Sequence, residues 1–189
     1  MESGKHDCIR LTTRNRAAVT AGSAASFQWR KEGGGEGVAS RCLEFLDRVG
    51  IEYGILDGRE AQLLEGLAIL DGKLLIDPHT PVWPGDLLHE AGHIAVSAPE
   101  ERARLGPIVP DGGDELATIA WSYAAALACD VSPNCLFHEG GYRGDSETLR
   151  TAFASGSYIG APMLGSFGMT DPHGFEADHP FPTMIRWLR

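Results

Sequence analysis

The chain has 189 residues, a length that suits one domain, and it is 43% hydrophobic and 22% charged, as expected of a chain that buries a real core. No apolar run approaches the roughly 18 residues that span a bilayer, which argues against a membrane protein. Its net charge of −10 is uneven: residues 1–35 carry six basic residues against three acidic ones, leaving −13 on the remainder, and so acidic a body argues against nucleic-acid binding, which needs clustered Lys and Arg.

Residues 1–35 are predicted to be a flexible extension. "AAVTAGSAASF" is small and polar, and "KEGGGEG" has the composition of a linker. A solvated tail accounts for its basic residues. The chain shows no basic segment followed by an apolar one, so a cytoplasmic location is expected. A single folded domain is expected over residues 36–189. The four cysteines (Cys8, Cys42, Cys129, Cys135) form no C-x-x-C pair and are read as reduced thiols.

Within the domain, "GVASRCLEFLDRVG" places Val38, Cys42, Phe45, Leu46 and Val49 at helical spacing, with Gly50 at the stop. "IEYGIL" reads as a short strand. In "GLAILDGKLLID" two apolar runs flank Asp71-Gly72, the signature of a hairpin with a type I′ turn. Pro78, Pro81, Pro84 and Gly85 then break the chain, and Asp86 is placed to cap or charge the next helix. That helix contains "LLHEAGHIAV" and ends near Pro99. A proline-rich loop leads to a second, alanine-rich helix, "DELATIAWSYAAALAC", apolar enough to be buried. "DSETLRTAFASG" is a third helix and "SYIGAPMLGSFGM" a broken fourth. "FPTMIRWLR" is expected to pack back on the domain.

The chemistry concentrates in "LLHEAGHIAV". His89 and His93, at i and i+4, lie on one helix face and can bind one metal ion. Glu90 is placed to accept a proton from a water that the metal acidifies. Leu87, Leu88, Ala91, Ile94, Ala95 and Val96 make this helix apolar nearly all round. Three polar side chains there are costly without partners, and a metal satisfies them together. Gly92 lowers helix propensity and points to a close approach by the site or another helix.

A catalytic zinc takes three protein ligands and leaves one position open. The pattern H-E-x-x-H-x-x-G-x-x-H is excluded, because Val96 and Pro99 stand where Gly and the third His would be. Glu115, in the first turn of the alanine-rich helix, is the favoured third ligand. Asp114 and the downstream histidines compete for the role, and a carboxylate at that position also suits the helix dipole.

"LLHEAGHIAV" followed by "DELATIAWSYAAAL" resembles the gluzincin branch of the zincin metallopeptidases and is similar to the compact H-E-x-x-H proteins of the ImmA/IrrE type. The resemblance covers about residues 67–129. It implies an α+β, mostly helical zincin-like fold with a small antiparallel sheet beside the metal helix. It further implies zinc held by His89, His93 and Glu115, with Glu90 as general base. In many gluzincins an acidic residue four positions after the Glu ligand orients the first His. Here Ile119 stands at that position, which leaves Thr118, Ser122 or Asp77 as substitutes.

Peptide hydrolysis also needs a donor for the oxyanion. His138 and Tyr142 in "FHEGGYRG" are the candidates, with Tyr123 and Tyr158 behind them, and an ordinary surface turn is the competing reading of that segment. His79 can line the cleft, His173 and His179 read as loop residues, and His6 belongs to the tail. "RGD" at Arg143–Asp145 is read as chance. Three functions follow: a zinc-dependent peptidase acting on a peptide or protein, a non-catalytic metal-binding domain working through a partner, and a metal-free structural domain.

Overall fold

The computed structural model describes residues 22–57, 62, 64–106, 112–172 and 180–189. These residues form an α+β fold with seven α-helices and one three-stranded sheet. Helix α1 (Gly35–Val49) buries Val38, Ala39, Cys42, Leu43, Phe45 and Leu46, as its periodicity predicts. It ends in a Schellman motif. Gly50 takes φ 81°, the Gly50 amide donates to the Asp47 carbonyl and the Ile51 amide to that of Leu46.

Strand β1 (Tyr53–Ile55) is followed by β2 (Leu67–Leu70) and β3 (Lys73–Ile76), in spatial order β1-β3-β2. Leu70 pairs with Lys73 across Asp71 and Gly72, whose φ values of 52° and 71° are those a type I′ turn requires. The sheet is mixed rather than antiparallel, because β1 runs parallel to β3. The hairpin signal is local and reveals β2 against β3. The chain then places β3 between β1 and β2, which no local signal records. Alternation divides the sheet: Leu67, Ile69, Leu74 and Ile76 join the main core, while Ala68 and Leu75 cluster with Leu56 on the other face.

Helix α2 (Pro84–Val96) runs through the centre of the domain. All of its residues except His89 are buried. It packs on α1, on the sheet and above all on α4 (Gly112–Ala128). Gly92 permits that closeness. A Cβ on it would stand 2.9 Å from Thr118 Cγ2 and 3.2 Å from the Thr118 carbonyl oxygen. Ser122 joins the two helices by donating to the carbonyls of Thr118 (2.6 Å) and Leu88 (3.2 Å).

The C-terminal end of α2 is closed by distant groups, because its last carbonyls have no partner within the helix. Ser97 Oγ donates to the His93 carbonyl, Arg102 Nε to Ile94 and the Arg189 amide to Ala95. Arg102, at the end of the short helix α3 (Pro99–Arg102), also reaches the carbonyls of Ser97 and Arg189. The chain end packs back as expected: Trp187 meets Phe45 and Trp121 edge-on, and Trp121 Nε1 donates to the Trp187 carbonyl.

A one-turn helix α5 (Pro133–Leu136), capped by Ser132, is an addition to the predicted elements. Helices α6 (Ser146–Ala154) and α7 (Ala161–Ser166) fall in the stretches predicted as the third helix and the broken fourth. The described part of the N-terminal segment is packed, not free. Ala24 and Phe27 are buried, and Trp29 bridges to Val82. Small and polar composition concealed these aromatic anchors. Residues 1–21, with His6 and Cys8, lie outside the described residues, as do His173 and His179. Cys42 and Cys129 are buried free thiols, and Cys135 is a half-buried one. Among the described residues, no helix is long and apolar enough to cross a membrane.

Candidate metal centre

Helices α2 and α4 bring three donors to one point. His89, His93 and Glu115 each offer a ligand atom, and those atoms lie within 4.8 Å of one another. His89 Nε2 is 3.5 Å from Glu115 Oε1, and His93 Nε2 is 3.5 Å from Glu115 Oε2. These are not ion pairs, because both imidazoles are neutral at pH 7. Burial pushes His89 down to about 3, with the neighbouring His93 and His138 adding to the shift. Burial alone pushes His93 down to about 4. The spacing suits a shared ion: tetrahedral ligands about 2.0–2.1 Å from a zinc stand roughly 3.3–3.4 Å apart. Asp114, the competing carboxylate, is exposed and outside the cluster.

His93 is oriented from behind. Its Nδ1 is 3.2 Å from Thr118 Oγ1, one turn along α4 from Glu115. If Nδ1 carries the proton and donates it to Thr118, the Nε2 lone pair is free for a metal. Thr118 thus orients the second histidine, whereas the substitute role open to it in the sequence is to orient the first, His89. Asp77 orients neither, since it accepts from the His79 amide and from Thr80 in a surface turn. His79 is exposed in that turn. Ser122 serves the helix contact instead. His89 Nδ1 is buried without a hydrogen-bond partner among the described residues. Thr118→Val keeps the shape and removes the acceptor. It is expected to lower zinc affinity about tenfold, read by competition against a chromogenic chelator.

Glu90 sits beside the cluster with 0% of its surface exposed, and neither carboxylate oxygen has a hydrogen-bond partner among the described residues. Burial pushes its pKa up to about 8, with Asp86 and Glu115 adding repulsion. A buried, unpaired carboxylate beside two neutral histidines and a second carboxylate is an expensive arrangement. A bound cation with a water would satisfy these groups together. The residues present therefore fit a metal.

These shifts set a pH profile for the protein in chelator. His89 and His93 are depressed below 6.5, so their contribution to stability is complete above that pH and is lost as pH falls towards 4 and 3. Glu90 is raised from 4.5 to about 8, so its contribution is complete below 4.5 and is lost as pH rises towards 8. Two groups favour higher pH below 6.5, and one favours lower pH above it. From these three groups the urea midpoint should peak near pH 6.5 and fall on both sides.

The segment after α5 delivers two more residues. Tyr142 reaches the cluster: its ring centroid is 5.2 Å from that of His89, and its buried hydroxyl has no hydrogen-bond partner among the described residues. Burial and the nearby Asp86, Glu115 and Glu90 hold its pKa well above 10. It stays a neutral donor at pH 7. Tyr142 and Arg143 both have φ 53°, left-handed backbone that costs a non-glycine residue about 1–2 kcal/mol.

His138 is placed differently from Tyr142. Its Nε2 is 2.8 Å from Asp86 Oδ1, its ring stacks on Trp83 at 4.2 Å, and only 3% of it is exposed. Asp86 thus takes one ring nitrogen, and the other, Nδ1, is buried without a hydrogen-bond partner among the described residues. Asp86 does lie in the first turn of α2, but Trp83 is the N-cap and the Asp86 side chain does not cap the helix. Tyr123 and Tyr158 pack with Phe153 and Phe181 in an aromatic group. The Asp86–His138 pair and the Thr118 contact were not anticipated as such. The only sequence signal for the pair was two polar residues in apolar surroundings, 52 positions apart.

No protein-family model matches this chain, and neither does a curated protein or a solved structure.

Proposed function

We propose that this protein is a zinc-dependent hydrolase with a zincin-like fold, and that it cleaves peptide bonds. The observation that carries the reading is the conjunction of three metal-type donors around one point with a buried, unpaired Glu90 beside them. Two imidazoles and a carboxylate are a donor set that suits zinc. His89, His93 and Glu115 hold the ion, which when bound polarises the scissile carbonyl and acidifies a water. Glu90 accepts the proton of the attacking water and passes it to the leaving nitrogen. Tyr142 supplies a neutral hydroxyl to the developing oxyanion. Thr118 keeps His93 in its binding orientation.

A second reading is a metal-binding domain that acts through a partner and cuts nothing. Ile119 and the unpaired His89 Nδ1 favour it, since no acid orients the first histidine among the described residues. The test is elemental analysis of untagged protein, followed by a peptidase screen. About one zinc per chain is expected, with His89→Ala and Glu115→Ala each losing it on dialysis. No zinc in the parent after loading would contradict both readings. Zinc without cleavage of any peptide would leave only the second.

A further inference from the structure

The segment between α5 and α6 carries Tyr142 to the metal centre in a conformation that needs holding. Tyr142 and Arg143 both stand at φ 53°, between Gly141 and Gly144, and strained backbone of this kind persists only where its surroundings fix it. The Tyr142 ring meets His89 and Phe137 edge-on, each at 5.2 Å. Its hydroxyl makes no hydrogen bond with a described residue, so the side chain contributes no directional contact of its own.

The directional contacts gather at His138, four residues earlier. Its Nε2 is 2.8 Å from Asp86 Oδ1, and Asp86 stands three residues before His89 on α2, about 4.5 Å along the helix axis. The ring stacks on Trp83, the N-cap of the same helix, at 4.2 Å and 7°. The His138 carbonyl accepts from Ser146 Oγ (2.6 Å) and from the Gly141 amide (3.1 Å). Gly141 and Ser146, on either side of Tyr142, are thus both bonded to His138. Arg150 Nη1 holds the carbonyl of Phe137, the residue before it. The segment also folds closely over the imidazole: a Cβ on Gly141 would stand 3.1 Å from His138 Cε1 and 3.2 Å from Nε2.

We infer that His138 is a positioning residue: fixed by Asp86, it holds Tyr142 against His89 and so sets where the tyrosine hydroxyl stands at the metal centre. The consequence for catalysis rests on the peptidase reading above, and the positioning does not. His138 is 3% exposed, so it acts through what it holds. An ionised Asp86 only accepts, so Nε2 carries the proton, and the ring cannot flip without breaking the bond. A hydrogen bond to a charged group is among the strong ones, which suits an anchor for strained backbone.

Fluorine-19 NMR of protein labelled with 3-fluorotyrosine tests this without turnover. The chain has 4 tyrosines, so four resonances are expected, and Tyr142→Phe assigns one of them. His138→Phe keeps a ring on Trp83 and loses the bond to Asp86, and Asp86→Leu cuts the same bond from the helix side. In chelator, both should move the Tyr142 resonance towards that of free fluorotyrosine and leave those of Tyr53, Tyr123 and Tyr158 in place. Asp86→Asn keeps an acceptor for Nε2 and should retain the parent's Tyr142 resonance. Should one of the two disruptive variants fail to fold, the other decides. A Tyr142 resonance that stays in place overturns the proposal. So does movement of all four in both variants, which would make the pair a determinant of the whole fold. With zinc and a cleaved peptide, His138→Phe and Tyr142→Phe should each lower kcat about a hundredfold with little change in KM, and the double variant no further. Multiplying losses would overturn the proposal, since His138 would then act independently of Tyr142. Release of Tyr142 by His138→Phe, in a protein whose parent cleaves no peptide, would leave the positioning standing and sink the hydrolase reading alone.

Discussion

Glu90→Gln is expected to keep one zinc per chain and to lose peptide hydrolysis by about a thousandfold, the usual scale for removing a general base. The three donor atoms of the cluster belong to His89, His93 and Glu115, so the substitution leaves all of them in place. Gln has the shape of Glu and fills the same volume in α2. It cannot accept a proton. In the absence of a bound ion, burial and the neighbouring carboxylates raise Glu90 to about 8. The proposed base must be ionised, and a cation bound beside it would favour that form. The substitution also removes a buried acid with no partner among the described residues. The variant should therefore lose no stability in chelator above pH 8. Elemental analysis and kcat/KM on the same preparation check the result. Full activity in the variant would remove Glu90 from the mechanism, and loss of zinc would make it a ligand.

The legible parts of this protein are those whose causes are local. The Asp71-Gly72 turn requires two left-handed residues, and that requirement is visible in two letters. His89 and His93 follow from helical spacing. Glu115 is a candidate because a carboxylate beside Leu116 and Ile119 at the start of a buried helix needs a reason to be there, and the structure brings it to His89 and His93. The mixed sheet was not legible, since the pairing of β1 with β3 depends on where the chain travels between β1 and β2. The role of His138 was hidden in the same way. Its type suggested chemistry, but its partner Asp86 and its stacking partner Trp83 are brought to it only by the packing of α5 on α2. Gly85 makes that packing possible, since a Cβ on it would stand 2.2 Å from the Cys135 carbonyl oxygen. Thr118, Ser122 and Asp77 are the candidates the sequence offers to orient His89, yet Thr118 meets His93 instead and His89 Nδ1 has no partner among the described residues. Which histidine Thr118 meets depends on the rotation of α4 against α2, which is set by Gly92 and by the hydrogen bonds of Ser122.

Gly160→Ala should be among the most damaging single-methyl changes in the domain, at about 3–5 kcal/mol. Two costs combine. Gly160 has φ 87°, where any L side chain is strained, and a Cβ there would lie 1.8 Å from the Leu116 carbonyl oxygen and 2.5 Å from its carbon. Those atoms are helix backbone and cannot swing aside. Either α7 must retreat from α4, or the first turn of α4 must move. That turn carries Glu115, so the second route displaces a proposed metal ligand as well. Gly156→Ala separates the two costs. Gly156 has φ 81° but nothing within 4 Å of its Cβ position, so its variant carries the backbone strain alone, about 1–2 kcal/mol. Urea unfolding of both variants, in chelator and with saturating zinc, reads the difference. Zinc should stabilise Gly156→Ala as much as it does the parent, because ligation there is untouched. In Gly160→Ala the stabilisation by zinc should be smaller, since Glu115 is displaced. An equal response to zinc in the two variants would show that α7 gives way and that α4 keeps its place, and the metal centre would then be better insulated from its surroundings than the 1.8 Å approach indicates.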